Sequence, residues 1–299
     1  MASNYILSIC IPTHNRADFL SKNLEKLAHM IDSKNMEIVV GNDGSTDNTD
    51  SIISQFVKMH PNIRLVHKRS KKRVFFDRNV IEIVKAASGK FCWLLGDDDV
   101  PKTGSILKIK ALIEKYPNLS LIHLNYSRFD NLLQKITAKK MINGINKDRL
   151  FKNYEDYYFK PIKNSYFKFL GTHTITMSSD VINRGKWLKA IGNLKKYIGH
   201  NFIHSFAIGT IIQTPNSVYF VCKPQVQYLS NNHRVWPNDI WKDYNSVLLS
   251  YLRGIGYSEK KIEQMRKLQS EYEKREAMVK NKFISSVYRF ALSIYKRIK

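Results

Sequence analysis

The chain has 299 residues, of which 43% are hydrophobic and 12% aromatic. This length and composition fit one large α/β domain, or a catalytic domain with a small extension, and they exclude a largely disordered chain. The formal net charge of +24 indicates an anionic partner, for which nucleic acid, an anionic membrane surface and a phosphate-bearing substrate are the three candidates.

The chain has no uninterrupted apolar stretch of about 18 residues, so we predict no membrane-spanning helix. Its N-terminal segment has no basic leader, and we expect a first strand there and not a signal peptide. Three cysteines lie in apolar runs without a CxxC pair, namely Cys10, Cys92 and Cys222. They are typical of core residues in a reducing compartment, so we expect a cytoplasmic protein.

Strands and helices alternate along the first hundred residues. Strands are predicted at residues 6–11, 37–40, 63–67 and 91–95, and helices at residues 17–30, 50–59 and 78–87. This alternation predicts the α/β class with a mostly parallel, doubly wound sheet.

The order of elements is less regular after residue 101. A helix is predicted at residues 105–116, a strand at 119–125, a long and partly helical excursion at 130–169, and strands at 172–178 and 218–222. Residues 258–299 are charged and contain no Pro or Gly, which predicts a helical end of the chain.

Polar residues follow three of the predicted strands at the edge where such sheets bind ligands. Asp43 follows the second strand, and Asp97, Asp98 and Asp99 follow the fourth, so we expect them around one crevice. Adjacent carboxylates repel one another, and a divalent cation such as Mg²⁺ or Mn²⁺ would relieve that repulsion. The alternatives are a solvated turn for the three acids and a helix cap at Ser45 or Thr46 for the GNDGSTD segment.

The segments SICIPTHNR, IVVGNDGSTDNT and RNVIEIVKAASGKFCWLLGDDDV resemble the motifs of family 2 glycosyltransferases in order, spacing and strand context over residues 5–101. The GDDDV form, with HNFIH and NNHRVW downstream, is similar to an abequosyltransferase-like subgroup. The resemblance implies a GT-A fold. We expect a catalytic domain at residues 1–240, with a nucleotide-binding half at 1–101 and an acceptor-side half at 102–240, followed by a helical basic C-terminal extension at 241–299.

The same resemblance implies inverting transfer of a sugar from a nucleotide-diphosphate sugar to an acceptor. The positions that match the nucleotide pocket are Pro12, Thr13, Asn15, Arg16, Asp43, Arg78 and Asp97. Among them Asp43 matches the acid that hydrogen-bonds the base. Asp98 matches the metal-binding acid, with Asp97 near both ribose and metal. Gly96 replaces the first acid of the usual DxD, which leaves fewer carboxylates for the metal.

The family usually has a carboxylate base at the start of a later helix, where this chain instead has His200 and His204. Their i, i+4 spacing predicts one helical face, and Asp180 is the carboxylate alternative, although its context indicates a helix cap. Ordinary polar or core histidines are the other interpretation. In the loop at residues 230–236, His233 is predicted to bind the metal and Arg234 the diphosphate, with a plain surface loop as the alternative.

Residues 280–299 combine six Lys and Arg, no acid, and apolar residues at helical spacing. This pattern predicts a helix on an anionic membrane surface, and a helix packed on protein is the alternative. The acceptor we expect is a lipid-linked saccharide of a bacterial surface polysaccharide, and the protein would be peripheral at the inner face of the membrane. A basic nucleic-acid-binding protein is disfavoured because no binding motif is present, and a sugar nucleotidyltransferase because no N-terminal Gly-rich phosphate loop with a Lys is present.

Overall fold

The computed structural model describes residues 5–31, 34–129, 135–163, 168–229, 240–268, 270, 271 and 274. Ten strands in the described part form one sheet. They are β1 (Leu7–Thr13), β2 (Met36–Asn42), β3 (Leu65–Arg69), β4 (Phe91–Leu94), β5 (Val100–Pro101), β6 (Leu121–Phe129), β7 (Ile136–Ala138), β8 (Arg149–Phe151), β9 (Asp180–Asn183) and β10 (Val218–Leu229).

Eight α-helices accompany these strands in the described residues. They are α1 (Ala17–Ala28), α2 (Thr49–Met59), α3 (Phe75–Ala86), α4 (Ser105–Lys115), α5 (Tyr154–Tyr158), α6 (Arg184–Ile191), α7 (Ile203–Ile211) and α8 (Ile240–Gly254). Short 3-10 helices occupy Leu170–Ile175, Met177–Ser179 and Lys195–Tyr197, and residues 259–268 are helical as well.

The main path of the sheet has the order β3-β2-β1-β4-β9-β6-β10-β5. The first four strands of this path are parallel, as predicted, because each is followed by a helix that returns the chain to the same starting edge. In the second half β10 is parallel to β6, whereas β9 is antiparallel to both β4 and β6. The α/β class is confirmed, and the parallel arrangement is concentrated in the N-terminal half.

The centre of the sheet is buried on both faces. Every residue of β1, β2 and β4 is buried, which explains their continuous apolar sequences. The amphipathic helix α3 packs on β1 and β2 through Val80, Ile83 and Val84. β3 forms the exposed end of the path, and its last two residues are Lys68 and Arg69, as expected of a protected sheet edge.

The predicted strand at residues 172–178 is wrong, because the chain forms 3-10 turns there. The Thr172 hydroxyl donates to the Phe169 carbonyl at 2.7 Å, and the Thr174 hydroxyl donates to the Gly171 carbonyl at 2.8 Å. Such local bonds compete with a sheet ladder, so threonine-rich β propensity was misleading. The described part of the excursion at residues 130–169 contains β7, β8 and α5.

The hydrophobic core continues past residue 240. Leu248 and Leu252 of α8 are fully buried, and the Tyr257 hydroxyl donates to the Gly209 carbonyl in α7 at 2.8 Å. The core thus contains residues on both sides of residue 240, and the division of the chain there stays a prediction. No helix within the described ranges combines the length and apolarity that crossing a membrane requires.

Candidate active site

The carboxyl ends of β1, β2 and β4 meet at Thr13. Its carbonyl accepts from the Asp43 N–H at 3.0 Å, and its hydroxyl donates to Asp97 Oδ2 at 2.7 Å. Thr13 and Asp97 are only 3% and 1% exposed. Since β1 lies between β2 and β4, the loops that carry Asp43 and Asp97 converge on this one residue, as the strand-end rule predicts.

Arg16 joins the two consecutive acids that follow β4. Its Nε donates to Asp97 Oδ1 at 2.9 Å, and its Nη2 donates to Asp98 Oδ2. The guanidinium lies over the ring of Phe19 at 4.3 Å, which fixes the plane of its donors. The positive charge of Arg16 thus offsets part of the repulsion expected between the carboxylates of Asp97 and Asp98.

Asp99 has a different environment from Asp97 and Asp98. It accepts from the Ser178 hydroxyl and from the Leu229 N–H, the latter at 3.1 Å. Burial, together with the neighbouring charge of Asp98, raises the pKa of Asp99 to about 8. The Ser178 hydroxyl also accepts from the Gly96 N–H at 2.8 Å, so this serine orders the strand end from a segment about 80 residues away, a contact that no local sequence signal indicates.

Gly96 is enclosed by the acids that follow it. A Cβ added there would lie 2.9 Å from Asp99 Oδ2 and 3.2 Å from Asp98 Oδ1. A side chain at position 96 would therefore require the Asp99 carboxylate to shift from its observed position.

The loop after β1 is tied to the loop after β2. Asn15 has a φ of 52°, its N–H donates to Ser45 Oγ at 2.9 Å, and its side chain accepts from the Thr46 N–H at 2.8 Å. The expected cap of α2 at Ser45 or Thr46 is wrong, since Asp47 accepts from the Thr49 N–H at 3.1 Å. Pro12 pairs with Gly41 in the β1 and β2 ladder at the base of this loop.

Both carboxylate oxygens of Asp43 accept backbone N–H groups at the start of α3. Oδ1 accepts from Val74 at 2.5 Å, and Oδ2 accepts from Phe75 at 3.0 Å. Phe75 has a φ of 66°, which is uncommon for an aromatic residue, and its side chain is 62% exposed. Asp43 therefore fixes the loop beside it, and the base contact expected from the sequence remains a prediction.

Arg78 is exposed on α3 and lines a groove between α3 and α6. No hydrogen bond or ion pair in the described structure joins it to Asp97 or Asp98. Its role at the nucleotide stays a prediction from the sequence. The next residue, Asn79, is buried and donates to the Gly41 carbonyl at 2.9 Å, which couples α3 to the end of β2.

The three candidates for the general base lie in different environments. His204 is 1% exposed, its Nε2 lies 3.2 Å from the Ile175 carbonyl oxygen, and burial lowers its pKa to about 4. Asp180 is fully buried, and burial raises its pKa well above the usual value. His200 is exposed.

Two local expectations for these candidates are wrong. α7 begins at Ile203, so His200 precedes the helix and does not share a helical face with His204. Asp180 is the first residue of β9 and caps no helix, because Asn183 caps α6 by accepting from the Lys186 N–H at 3.1 Å.

Asp77 of α3 holds the segment that carries His200. Its Oδ2 accepts from the Gly199 N–H at 2.7 Å and the Asn201 N–H at 3.0 Å, and its Oδ1 accepts from the Ile203 N–H at 3.2 Å. Burial raises the pKa of Asp77, while these three donors act in the opposite direction. Sequence reasoning missed this residue, since its partners lie more than 120 positions away.

In the described part of the chain, no three His, Cys, Asp or Glu side chains lie close enough together to form the full ligand set of a metal ion. His233 and Arg234, predicted for the metal and the diphosphate, lie outside the described residues, as do residues 280–299. Asp98 nonetheless fits one mode of binding. Mg²⁺ and Mn²⁺ are commonly held by one or two carboxylates together with substrate phosphates.

Comparison with known proteins gives related sequences from bacteria. Abequosyltransferase RfbV of Salmonella typhimurium is 24% identical over 223 residues, covering 74% of this chain and 66% of that protein. The GalNAc(5)-diNAcBac-PP-undecaprenol beta-1,3-glucosyltransferase of Campylobacter jejuni is 30% identical over 127 residues, covering 38% of this chain and 40% of its own length. The matches thus span two thirds or less of these relatives.

The fold is also similar to a solved structure, S. aureus TarS 1-349 in complex with UDP-GlcNAc. The TM-score is 0.58 at 14% identity, with 87% of this chain and 70% of that chain covered. The sequence model described as Glycosyl transferase family 2 matches residues 8–187, which is more than half of the chain and includes Thr13, Asp43 and the three acids that follow β4. The chain belongs to glycosyl transferase family 2.

Proposed function

We propose that this protein transfers a sugar, with inversion, from a nucleotide-diphosphate sugar to a saccharide acceptor. Thr13, Arg16, Asp97 and Asp98 form a cluster where three strands end, and this cluster is the main support for the proposal. It presents fixed carboxylates beside a cationic side chain, a combination suited to a metal-bound diphosphate. Family membership and the UDP-GlcNAc complex of the TarS neighbour support a nucleotide sugar as donor.

Thr13 and Arg16 hold Asp97 by both of its oxygens, so its carboxylate is oriented before any ligand arrives. Asp98 is the residue that would hold Mg²⁺ or Mn²⁺ against the diphosphate. Such a cation offsets the negative charge that develops on the diphosphate as it leaves the sugar. Because the carboxylates are preorganised, little reorganisation is required during the reaction.

The acceptor hydroxyl must lose a proton as its oxygen attacks the anomeric carbon and the bond to the diphosphate breaks. We assign the base to His200, because it is exposed while His204 and Asp180 are buried. Histidine accepts a proton near neutral pH. Asp77 fixes the backbone on both sides of His200, so it acts as a positioning residue.

Two relatives support a proposal for the acceptor class. One of them is an abequosyltransferase and another carries a PP-undecaprenol acceptor in its name, so a lipid-linked saccharide of a bacterial surface polysaccharide is the acceptor we propose. Residues 280–299 would then bring the protein to the inner, anionic face of the membrane. An anionic leaflet contributes roughly 1 kcal/mol per nearby Lys or Arg.

The test is a panel of nucleotide-diphosphate sugars incubated with the protein, Mn²⁺ or Mg²⁺ and lipid-linked saccharide acceptors, followed by measurement of the released nucleotide. We expect acceptor-dependent release with one donor, and a product whose anomeric configuration is opposite to that of the donor by NMR. His200→Ala should lower turnover about 100-fold or more, and His200→Gln serves as a matched variant without a base. Full turnover in both variants would reject His200, and retained configuration would reject inversion.

A further inference from the structure

A groove of about 590 Å³ runs between α3 on one side and the end of α6 with the segment that follows it on the other. This volume is in the range of ligand sites in proteins. Its apolar lining comes from Val74 and Ile81 on one side and from Leu188, Ile191 and Ile198 on the other. Thr13, Arg16, Asp97 and Asp98 do not line it, whereas Arg78, which the sequence predicts near the nucleotide, does.

One end of the groove borders the candidate active site. The Val74 N–H donates to Asp43, and Ile198 lies two residues before the proposed base His200. From there the groove follows one face of α3, since Val74, Arg78, Ile81 and Lys85 recur at helical spacing. A bound chain in this groove would have one end close to His200.

The polar lining of the groove is cationic. Arg78, Lys85 and Lys195 line it together with one acid, Glu82, and Glu82 is already paired with Lys85 at 3.0 Å. Across the described residues, no hydrogen bond or ion pair engages the side chain of Arg78 or of Lys195. Two uncompensated cations beside an apolar lining fit an amphiphile with an anionic head group.

Charge also decides between possible occupants. Residues 280–299 carry six cations and no acid, and a second copy of the chain has a net charge of +24, so both would be repelled by the basic rim of the groove. We propose that the groove binds the hydrocarbon chain of a phosphate-linked lipid acceptor, with Lys195 and Arg78 facing its phosphate. This inference rests on the proposed function, because it names where the acceptor of that reaction binds.

Gly192 offers a way to fill the groove without strain. It lines the groove, its φ and ψ of −52° and −34° are helical, and the nearest atom to an added Cβ is the Lys189 carbonyl oxygen at 3.6 Å. Gly192→Leu should therefore place a side chain in the groove and leave the fold intact. Gly185→Leu is the matched control, because Gly185 lies on α6, which Gly192 caps, but does not line the groove, and the atom nearest to its added Cβ is also 3.6 Å away.

The experiment measures binding of dodecyl phosphate to the full chain by calorimetry, below the critical micelle concentration and without donor. We expect binding by the parent protein and by Gly185→Leu, and a loss of about tenfold or more in Gly192→Leu, because the groove is then filled. Lys195→Gln should weaken dodecyl phosphate several-fold, whereas Lys115→Gln on the distant helix α4 should not. Inorganic phosphate and neutral dodecyl maltoside should both bind more weakly than dodecyl phosphate.

Equal binding of dodecyl maltoside, equal binding of inorganic phosphate, or unchanged binding in Gly192→Leu would overturn the inference. Absence of dodecyl phosphate binding to the parent protein would also overturn the inference. Nucleotide-sugar binding and unfolding midpoints are measured on the same samples. Donor binding without amphiphile binding rejects only the groove assignment, and amphiphile binding without donor binding rejects the proposed transferase.

Discussion

Gly41, at the end of β2, controls how closely α3 approaches the sheet. A Cβ at this position would lie 2.2 Å from Asn79 Oδ1 and 2.3 Å from Ile83 Cγ2. Both contacts belong to buried side chains of α3, so the helix or its rotamers must move. Overpacking of this kind costs about 1–3 kcal/mol. Loss of the bond from Asn79 to the Gly41 carbonyl adds about 0.5–1.5 kcal/mol, so Gly41→Ala should lose roughly 2–4 kcal/mol of unfolding free energy.

Urea unfolding followed by circular dichroism measures this loss as a lower midpoint. Gly254→Ala is the control, because nothing lies within 4 Å of an added Cβ there and the residue ends a helix. It should be neutral or gain up to about 1 kcal/mol. A Gly41→Ala protein as stable as the parent would refute the close packing of α3 on β2. Because α3 also carries Asp77, we expect the variant to lose turnover as well.

Three further results are expected. Thr13→Val removes the hydroxyl that donates to Asp97, so the variant should lose about 1–2 kcal/mol of unfolding free energy and bind nucleotide diphosphate more weakly in calorimetry. Thr13→Ser keeps the hydroxyl and should bind as the parent does. Equal binding by the valine variant would contradict the role of the hydroxyl. Asp77→Asn should lower kcat roughly 10–100-fold with little change in donor KM, since only the segment around His200 is displaced, and a change confined to KM would argue against positioning. Deletion of residues 280–299 should release the protein from anionic vesicles in a flotation assay, and continued binding would show that the anchor lies elsewhere.

Much of the N-terminal half was predictable from the sequence because its signals are local. Apolar runs predicted β1, β2 and β4, amphipathic spacing predicted α1 and α3, and the strand-end rule predicted that the loops of Asp43 and Asp97 meet, as they do at Thr13. The spacing of apolar residues along a short stretch of sequence is enough to predict such strands and helices. The order of strands and helices then indicates at which edge of the sheet each strand ends.

The missed features depend on contacts between distant segments. Ser178 reaches Asp99 across 79 positions, and Asp77 reaches Ile203 across 126 positions. The 3-10 turns at Leu170–Ile175 replaced an expected strand because threonine hydroxyls bonded their own backbone. Periodicity contains no information about such pairings, since they are set by how α3 packs on α7 and how β9 inserts beside β4.

The central claim is that Asp98 helps bind the diphosphate of a nucleotide through a divalent cation. Calorimetric titration of UDP and GDP into the parent protein, Asp98→Asn and the surface control Glu114→Gln, each with Mn²⁺ and with excess EDTA, tests it most directly. We expect at least one nucleotide to bind the parent and Glu114→Gln in a Mn²⁺-dependent manner, with affinity reduced about tenfold or more in Asp98→Asn. Equal affinity in all three proteins, or affinity that EDTA does not change, would contradict it.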